Sequence, residues 1–272
     1  MTLSLPYMAL LVILLAALAY RTYANQGAMA RFRLLTGSAE RQRCYLRMTL
    51  RSFVQFGLIG MAILAIVGKA GAVRAFPHEF EPLRLLLGQS SGADGSDTGS
   101  IAYYGGMIGG VACGGSVSYV IWRFLLRRKT QPVIGDVEAL FPRNRAEVLA
   151  TLPLAINAGL SEEVFFRLAL PMVATLATGS AMAGFIIAGL SFGLAHWYQG
   201  WKSVLLITGI SGFFSYVYLS TGSLMTSIVL HAAVDVIALT VRPAISLWLD
   251  GRAARRAAPQ AGHNLDSAVS KA

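Results

Sequence analysis

Six ionisable side chains stand in stretches that are otherwise apolar. Glu162, Glu163 and Arg167 lie in GLSEEVFFRLALP (159–171), His196 ends SFGLAH (191–196), and His231 and Asp235 lie in LHAAVDVI (230–237). A charge at membrane depth costs about 2.5–3.5 kcal/mol on insertion scales, so residues of this kind usually serve a function. Side chains four apart share a helix face. Glu163 and Arg167 are four apart, and their plain reading is an ion pair that neutralises both groups. Glu162 then lies about 100° around the helix, with no local partner. A carboxylate left unpaired in apolar surroundings suits general-base work. His196 has two readings: part of an interfacial aromatic belt with Trp197 and Tyr198, or a site residue with Phe192 one turn earlier on the same face. His231 and Asp235, again four apart, are either a polar pair that ties two helices together, worth about 1 kcal/mol, or two groups aimed at one ligand. A Glu and two His around a water make hydrolytic chemistry, by activating the water directly or by holding a metal that does so.

Such residues need elements that bring them to one depth. Of 272 residues, 55% are hydrophobic and 13% charged, against roughly 25% charged in soluble domains. Apolar runs fall at approximately 4–20, 52–73, 101–122, 148–170, 180–197, 203–220 and 223–248, each judged against the roughly 20 residues that cross a bilayer as a helix. The predicted fold is all-α: a polytopic transmembrane helical bundle of about seven spans, with six to eight as the range. Ala17-Leu18-Ala19 mimics a signal-peptidase site, but no positive residue precedes the first run and Arg21 follows it. The run is therefore read as a retained anchor with its N-terminus outside. The net charge of +10 comes from arginines between the runs. That is the positive-inside pattern and not a nucleic-acid face, so no nucleic-acid partner is expected. Residues 21–51 carry seven arginines (21, 31, 33, 41, 43, 47, 51) against Glu40 alone. This segment is read as a cytoplasmic loop. Residues 123–147 and the tail are basic and on the same side, while the mildly acidic 74–100 is external. GGMIGGVACGGS (105–116) predicts close helix packing. Cys44 and Cys113 make no metal or redox spacing and no disulfide framework.

EEVFFR (162–167), FGLAH (192–196) and HAAVD (231–235) together resemble the EExxxR, FxxxH and HxxxN/D motifs of the CPBP intramembrane proteases, the Abi family. That family includes the type II CAAX prenyl endopeptidases and proteins of bacteriocin processing and immunity. The resemblance covers about 148–248. It implies glutamate-dependent hydrolysis of a peptide bond within the membrane. Carried over by motif position, Glu162 is the general base, His196 helps to orient and activate the water, and His231 with the residue at 235 serves the oxyanion. Glu163, Arg167 and Phe192 are support. No cofactor is expected, since no HExxH is present to hold zinc. A zinc form of the same enzyme, with Glu162, His196 and His231 as ligands, is the alternative.

Position 235 is Asp where the motif often has Asn. An amide donates to an oxyanion, whereas an ionised carboxylate repels it. The expected role of Asp235 is thus to orient His231 through its ring N–H. The chain divides into an N-terminal transmembrane region (1–147), a catalytic helical core (148–250) and a disordered cytoplasmic tail (251–272). Composition suggests a multi-pass protein of the bacterial inner membrane, acting on a peptide or membrane-protein substrate in the lipid bilayer. Two other classes stay open: a non-enzymatic membrane immunity or partner protein, and a proton-coupled transporter, against which the absence of broken-helix repeats argues.

Overall fold

The computed structural model describes residues 4–88, 100–125, 138–252 and 255, and every regular element among them is helical. Helix α1 is Leu5–Arg33. Helix α2, Ser38–Ser52, runs through a π turn at Phe53–Leu58 into α3, Ile59–Ile66. The short α4 is Glu81–Leu86, and α5 is Ile101–Val120. Helix α6, Arg145–Glu163, passes through a second π turn, Val164–Ala169, into α7, Leu170–Thr178. Then come α8 (Ala181–Ala195), α9 (Trp201–Thr221) and α10 (Leu224–Val236), the last followed by a π turn at Ile237–Val241.

Each of the seven apolar runs falls in one of these helices. Five are long and apolar enough to cross a membrane: Leu5–Arg33, Ser38–Ile66, Arg145–Thr178, Trp201–Thr221 and Leu224–Arg252. Helix α8 is apolar but shorter, and α5 has 20 residues. The ends are set locally. Asn144 Oδ1 accepts from the Glu147 amide at 3.0 Å and so caps α6, and Ser180 and Ser223 cap α8 and α10 in the same way. Gly179 (φ 71°) and Gly222 (φ 67°) end α7 and α9 in the left-handed conformation that favours glycine.

Two expectations are corrected. Residues 21–51 are not a loop: α1 continues to Arg33 and α2 starts at Ser38, leaving only 34–37 as a turn. The apolar runs marked where hydrophobic residues stop, but a helix continues as long as its backbone bonds do, and arginine stems extend along apolar surface. Arg41 is in fact fully buried. Its Nε donates to Glu147 at 3.0 Å, and Nη2 donates to Tyr45 Oη and to the carbonyls of Ala139 and Phe141 at 2.9–3.0 Å. It clips the α1–α2 hairpin to the start of α6. The second correction concerns the glycine run. A Cβ on Gly105, Gly106, Gly109, Gly110 or Gly114 would meet nothing within 4 Å, and only Gly115 packs closely, against Ile237. The close approaches lie elsewhere. A Cβ on Gly159 would come within 2.5 Å of the Ala232 amide nitrogen, and one on Gly184 within 2.7 Å of the Pro171 carbonyl.

The core is built around the second π turn and α7, where every residue from Glu163 to Thr175 is buried. Leu11, Leu14 and Leu18 of α1 pack on it from one side and Phe185 and Phe192 of α8 from another. The two π turns meet: Phe56 of the first lies 5.3 Å from Phe165 and 5.1 Å from Phe166 of the second, centroid to centroid. Residues 89–99 of the mildly acidic 74–100, residues 126–137 of the basic 123–147, and most of the tail expected to be disordered lie outside the described residues.

Candidate active site

Glu162 and Glu163 close α6 immediately before the second π turn. A π turn inserts a residue into the helical ladder, and such turns are frequent at functional sites. The adjacent carboxylates have opposite surroundings. Glu163 is fully buried: its Oε1 lies 2.8 Å from Nδ1 of His231 and 3.2 Å from Nη2 of Arg167. Arg167, also fully buried, lies over the rings of Phe192 and Phe214 at 5.0 and 5.6 Å. The expected Glu163–Arg167 pair is present, and His231 completes it as a triad. Glu162 is half-buried and has no hydrogen-bond or ion-pair partner among the described residues.

Helix α10 brings His231 to this place because Gly159 and Ala232 let α6 and α10 touch backbone to backbone. Phe214 of α9 stacks on the His231 ring at 4.8 Å with 20° between planes. The other histidine is fixed locally. His196 Nδ1 lies 2.9 Å from the carbonyl oxygen of Phe192, and Phe192 packs on both rings, 4.9 Å from His196 and 6.2 Å from His231. A carbonyl oxygen only accepts, so the His196 hydrogen sits on Nδ1, and Nε2 of the neutral ring carries a lone pair. His231 Nδ1 likewise donates, to the Glu163 carboxylate. Phe192 was expected as support, and it is the wall between the two histidines.

Asp235 was expected to orient His231 through its ring N–H. The group on the His231 Nδ1–H is Glu163, from a different helix. Asp235 lies on the other side of the ring, 3.7 Å from Nε2 and beyond hydrogen-bond reach. Spacing of four within one helix allowed contact, but the α6–α10 crossing supplied a nearer acceptor. Among the described residues, no group of three or more His, Cys, Asp or Glu side chains is arranged to hold a metal ion. Each histidine has its Nδ1 committed to a protein oxygen, which leaves Nε2 as its available ring nitrogen.

Two side chains of this neighbourhood were not singled out in the sequence. Tyr198, half-buried in the turn after His196, has its ring 6.0 Å from that imidazole. Arg21, counted above as a topology-setting charge, has its guanidinium 3.9 Å over the Phe56 ring. A signal for Arg21 was present: it continues the spacing of the buried Leu14 and Leu18 on one face of α1.

Fold and composition define an integral, multi-pass helical membrane protein. Residues 144–237, about a third of the chain, match the family model described as type II CAAX prenyl endopeptidase Rce1-like. The matched segment contains all three motifs, which bears out the similarity to CAAX-type membrane proteases that they implied. No curated protein and no solved structure matches the chain.

Proposed function

We propose that the protein is an intramembrane endopeptidase in which Glu162 is the general base. The observation that supports this reading most is the contrast between two adjacent carboxylates: Glu163 is bound to the Arg167 guanidinium and the His231 imidazole, while Glu162 is free and partly accessible. A base must be free to take a proton, whereas a carboxylate in a buried triad is not. In the proposed reaction a water stands between Glu162 and the lone pair of His196 Nε2. Glu162 takes one proton as the water oxygen bonds to the scissile carbonyl carbon. The carbonyl π pair moves to oxygen, the C–N bond then breaks, and the amine leaves with the proton from Glu162. Glu163, Arg167 and Phe192 hold His231 and the π turn in place. The catalytic core is 148–250, and the substrate is a peptide or membrane-protein segment at the bacterial inner membrane.

Purified protein in detergent is expected to cleave a peptide library. General bases contribute about 10²–10⁴ in rate, so Glu162→Gln should lower kcat by at least 10² without loss of thermal stability. A fully active Glu162→Gln variant overturns the mechanism. Exhaustive chelation should leave the rate unchanged. Stoichiometric zinc, whose removal abolishes and whose return restores activity, decides for the metalloenzyme instead.

A further inference from the structure

His196 assists a water only while its Nε2 stays aimed at that water. The torsion that turns an imidazole is broad, so the ring needs contacts that hold it. One is local: Nδ1 donates to the Phe192 carbonyl at 2.9 Å. The Phe192 ring is a second, 4.9 Å away between centroids. The third is the ring of Tyr198, 6.0 Å from the imidazole with 33° between planes. Both separations lie within the range of about 4.5–7 Å over which ring pairs attract.

A tight turn brings Tyr198 to this place. The Gln199 amide donates to the His196 carbonyl and the Gly200 amide to that of Trp197, both at 2.9 Å. Gly200, at φ 92°, then lets the chain leave into α9. Within the turn Trp197 is exposed, whereas Tyr198 is half-buried. The Tyr198 hydroxyl is turned to Gln199, whose Nε2 donates to it at 2.9 Å. Tyr198 also packs against a small apolar cluster, separate from the main core, made by Met29 and Phe32 of α1 and Tyr45 of α2. Arg41 fixes that cluster: its guanidinium lies 4.5 Å over the Phe32 ring, and its Nη2 donates to Tyr45 Oη at 2.9 Å. A continuous line of contacts therefore runs from the α1–α2 hairpin, with its buried clip on Glu147, through Tyr198 to the imidazole of His196.

We infer that Tyr198 is a positioning residue: seated on the Met29, Phe32 and Tyr45 cluster, its ring holds the His196 imidazole so that Nε2 faces the water. The inference rests on the hydrolytic reading above. The ring does this and not the hydroxyl, because the contact with the imidazole is ring to ring and the oxygen is turned to Gln199. It also gives the N-terminal region a part in the site, since α1 and α2 lie outside the matched segment.

The experiment measures kcat, KM and thermal unfolding on one cleaved peptide for Tyr198→Leu, Tyr198→Phe, His196→Ala, Glu162→Gln and the double variant His196→Ala/Tyr198→Leu. Acid–base assistance contributes about 10²–10⁴ in rate, so His196→Ala should lose at least about 10² in kcat. Misplacement of a reacting group by about 1 Å costs up to about 10²-fold. Tyr198→Leu is accordingly expected to lower kcat about 10- to 100-fold with KM changed less than about threefold. Tyr198→Phe keeps the ring and should hold kcat within about threefold of the parent. Residues that act through one another are not additive, so Tyr198→Leu should cost less than about twofold once His196 is Ala. A tyrosine that only fills space would lower both backgrounds by the same factor, and that outcome overturns the inference. So does Tyr198→Leu at the parent rate beside an impaired His196→Ala, or Tyr198→Phe as slow as Tyr198→Leu. If Tyr198→Leu does not fold, Phe32→Leu loosens the seat instead: its loss of kcat should vanish in the His196→Ala background, and additivity again overturns the inference. Each of these failures beside an inactive Glu162→Gln leaves the hydrolytic reading standing. Parent-level cleavage by Glu162→Gln overturns both.

Discussion

Glu162 and Glu163 are identical in type and adjacent in the chain, so any difference in their work comes from what surrounds them. Glu163 holds two partners in a fully buried site, the His231 imidazole at 2.8 Å and the Arg167 guanidinium at 3.2 Å. Removing one member of a buried ion pair leaves the other uncompensated, at about 3–5 kcal/mol. Glu163→Gln should therefore lower the thermal unfolding temperature markedly, while Glu162→Gln should leave it near the parent value. Equal effects of the two substitutions would dissolve the proposed division between base and support. Asp235 belongs to the same test. Because it stands 3.7 Å from Nε2 and Glu163 holds Nδ1, Asp235→Asn should keep kcat within about tenfold of the parent. A drop of 10² or more, of the size general-base assistance supplies, would return the orienting role to Asp235.

Among the elements, the α6–α10 crossing decides whether the site exists. Gly159 meets the Ala232 backbone, so even one methyl group on residue 159 would come within 2.5 Å of a backbone nitrogen. Backbone cannot give way as a flexible side chain can, so the helices must separate. Overpacking of this kind costs typically about 1–3 kcal/mol, and separation pulls His231 away from Glu163. Gly159→Ala should thus lose both stability and cleavage rate, and Gly159→Leu should lose more. The open glycines of α5 provide the control: Gly109→Ala has nothing within 4 Å to meet and should be neutral or slightly stabilising, since Ala exceeds Gly in helix propensity by about 1 kcal/mol. Unfolding temperatures of the three variants, measured in one detergent, check the order. The glycine-rich run of α5 had drawn attention by composition alone. The glycines that matter stand singly in α6 and α8, where nothing in the local sequence distinguishes them.

At the scale of the whole molecule, orientation in the bilayer follows from charge. The arginines of α1 and α2 gather around the 34–37 turn, with Arg31 and Arg33 on one side and Arg41 and Arg43 on the other. From the positive-inside bias this turn is expected to face the cytoplasm. In a chain free of its native cysteines, a probe at Ser96 should react with an impermeant thiol reagent from outside, while probes at Gln42 and Ala261 should not. The reverse pattern would invert the topology. Much of this was legible from the sequence. Apolar runs require helices because unpaired backbone groups cannot stand in hydrocarbon, and all seven runs lie in helices, five of them long and apolar enough to cross a membrane among the described residues; charges within those runs mark a site because nothing else repays their burial. The three motifs, read together, located the domain that the family comparison matches at 144–237. Spacing within one helix also paired Glu163 with Arg167, because i and i+4 lie on one face whatever the rest of the fold does. Contacts between helices were not legible. Arg41 looked like one loop charge among seven and is a buried clip on Glu147. Glu163 and His231, 68 residues apart, and Arg21 over Phe56 depend on which faces cross and at what depth. Periodicity says which side of a helix is apolar, but it does not say which neighbour covers that side. Only the packing of α1, α6 and α10 settled whether a given charge was paired, buried or free.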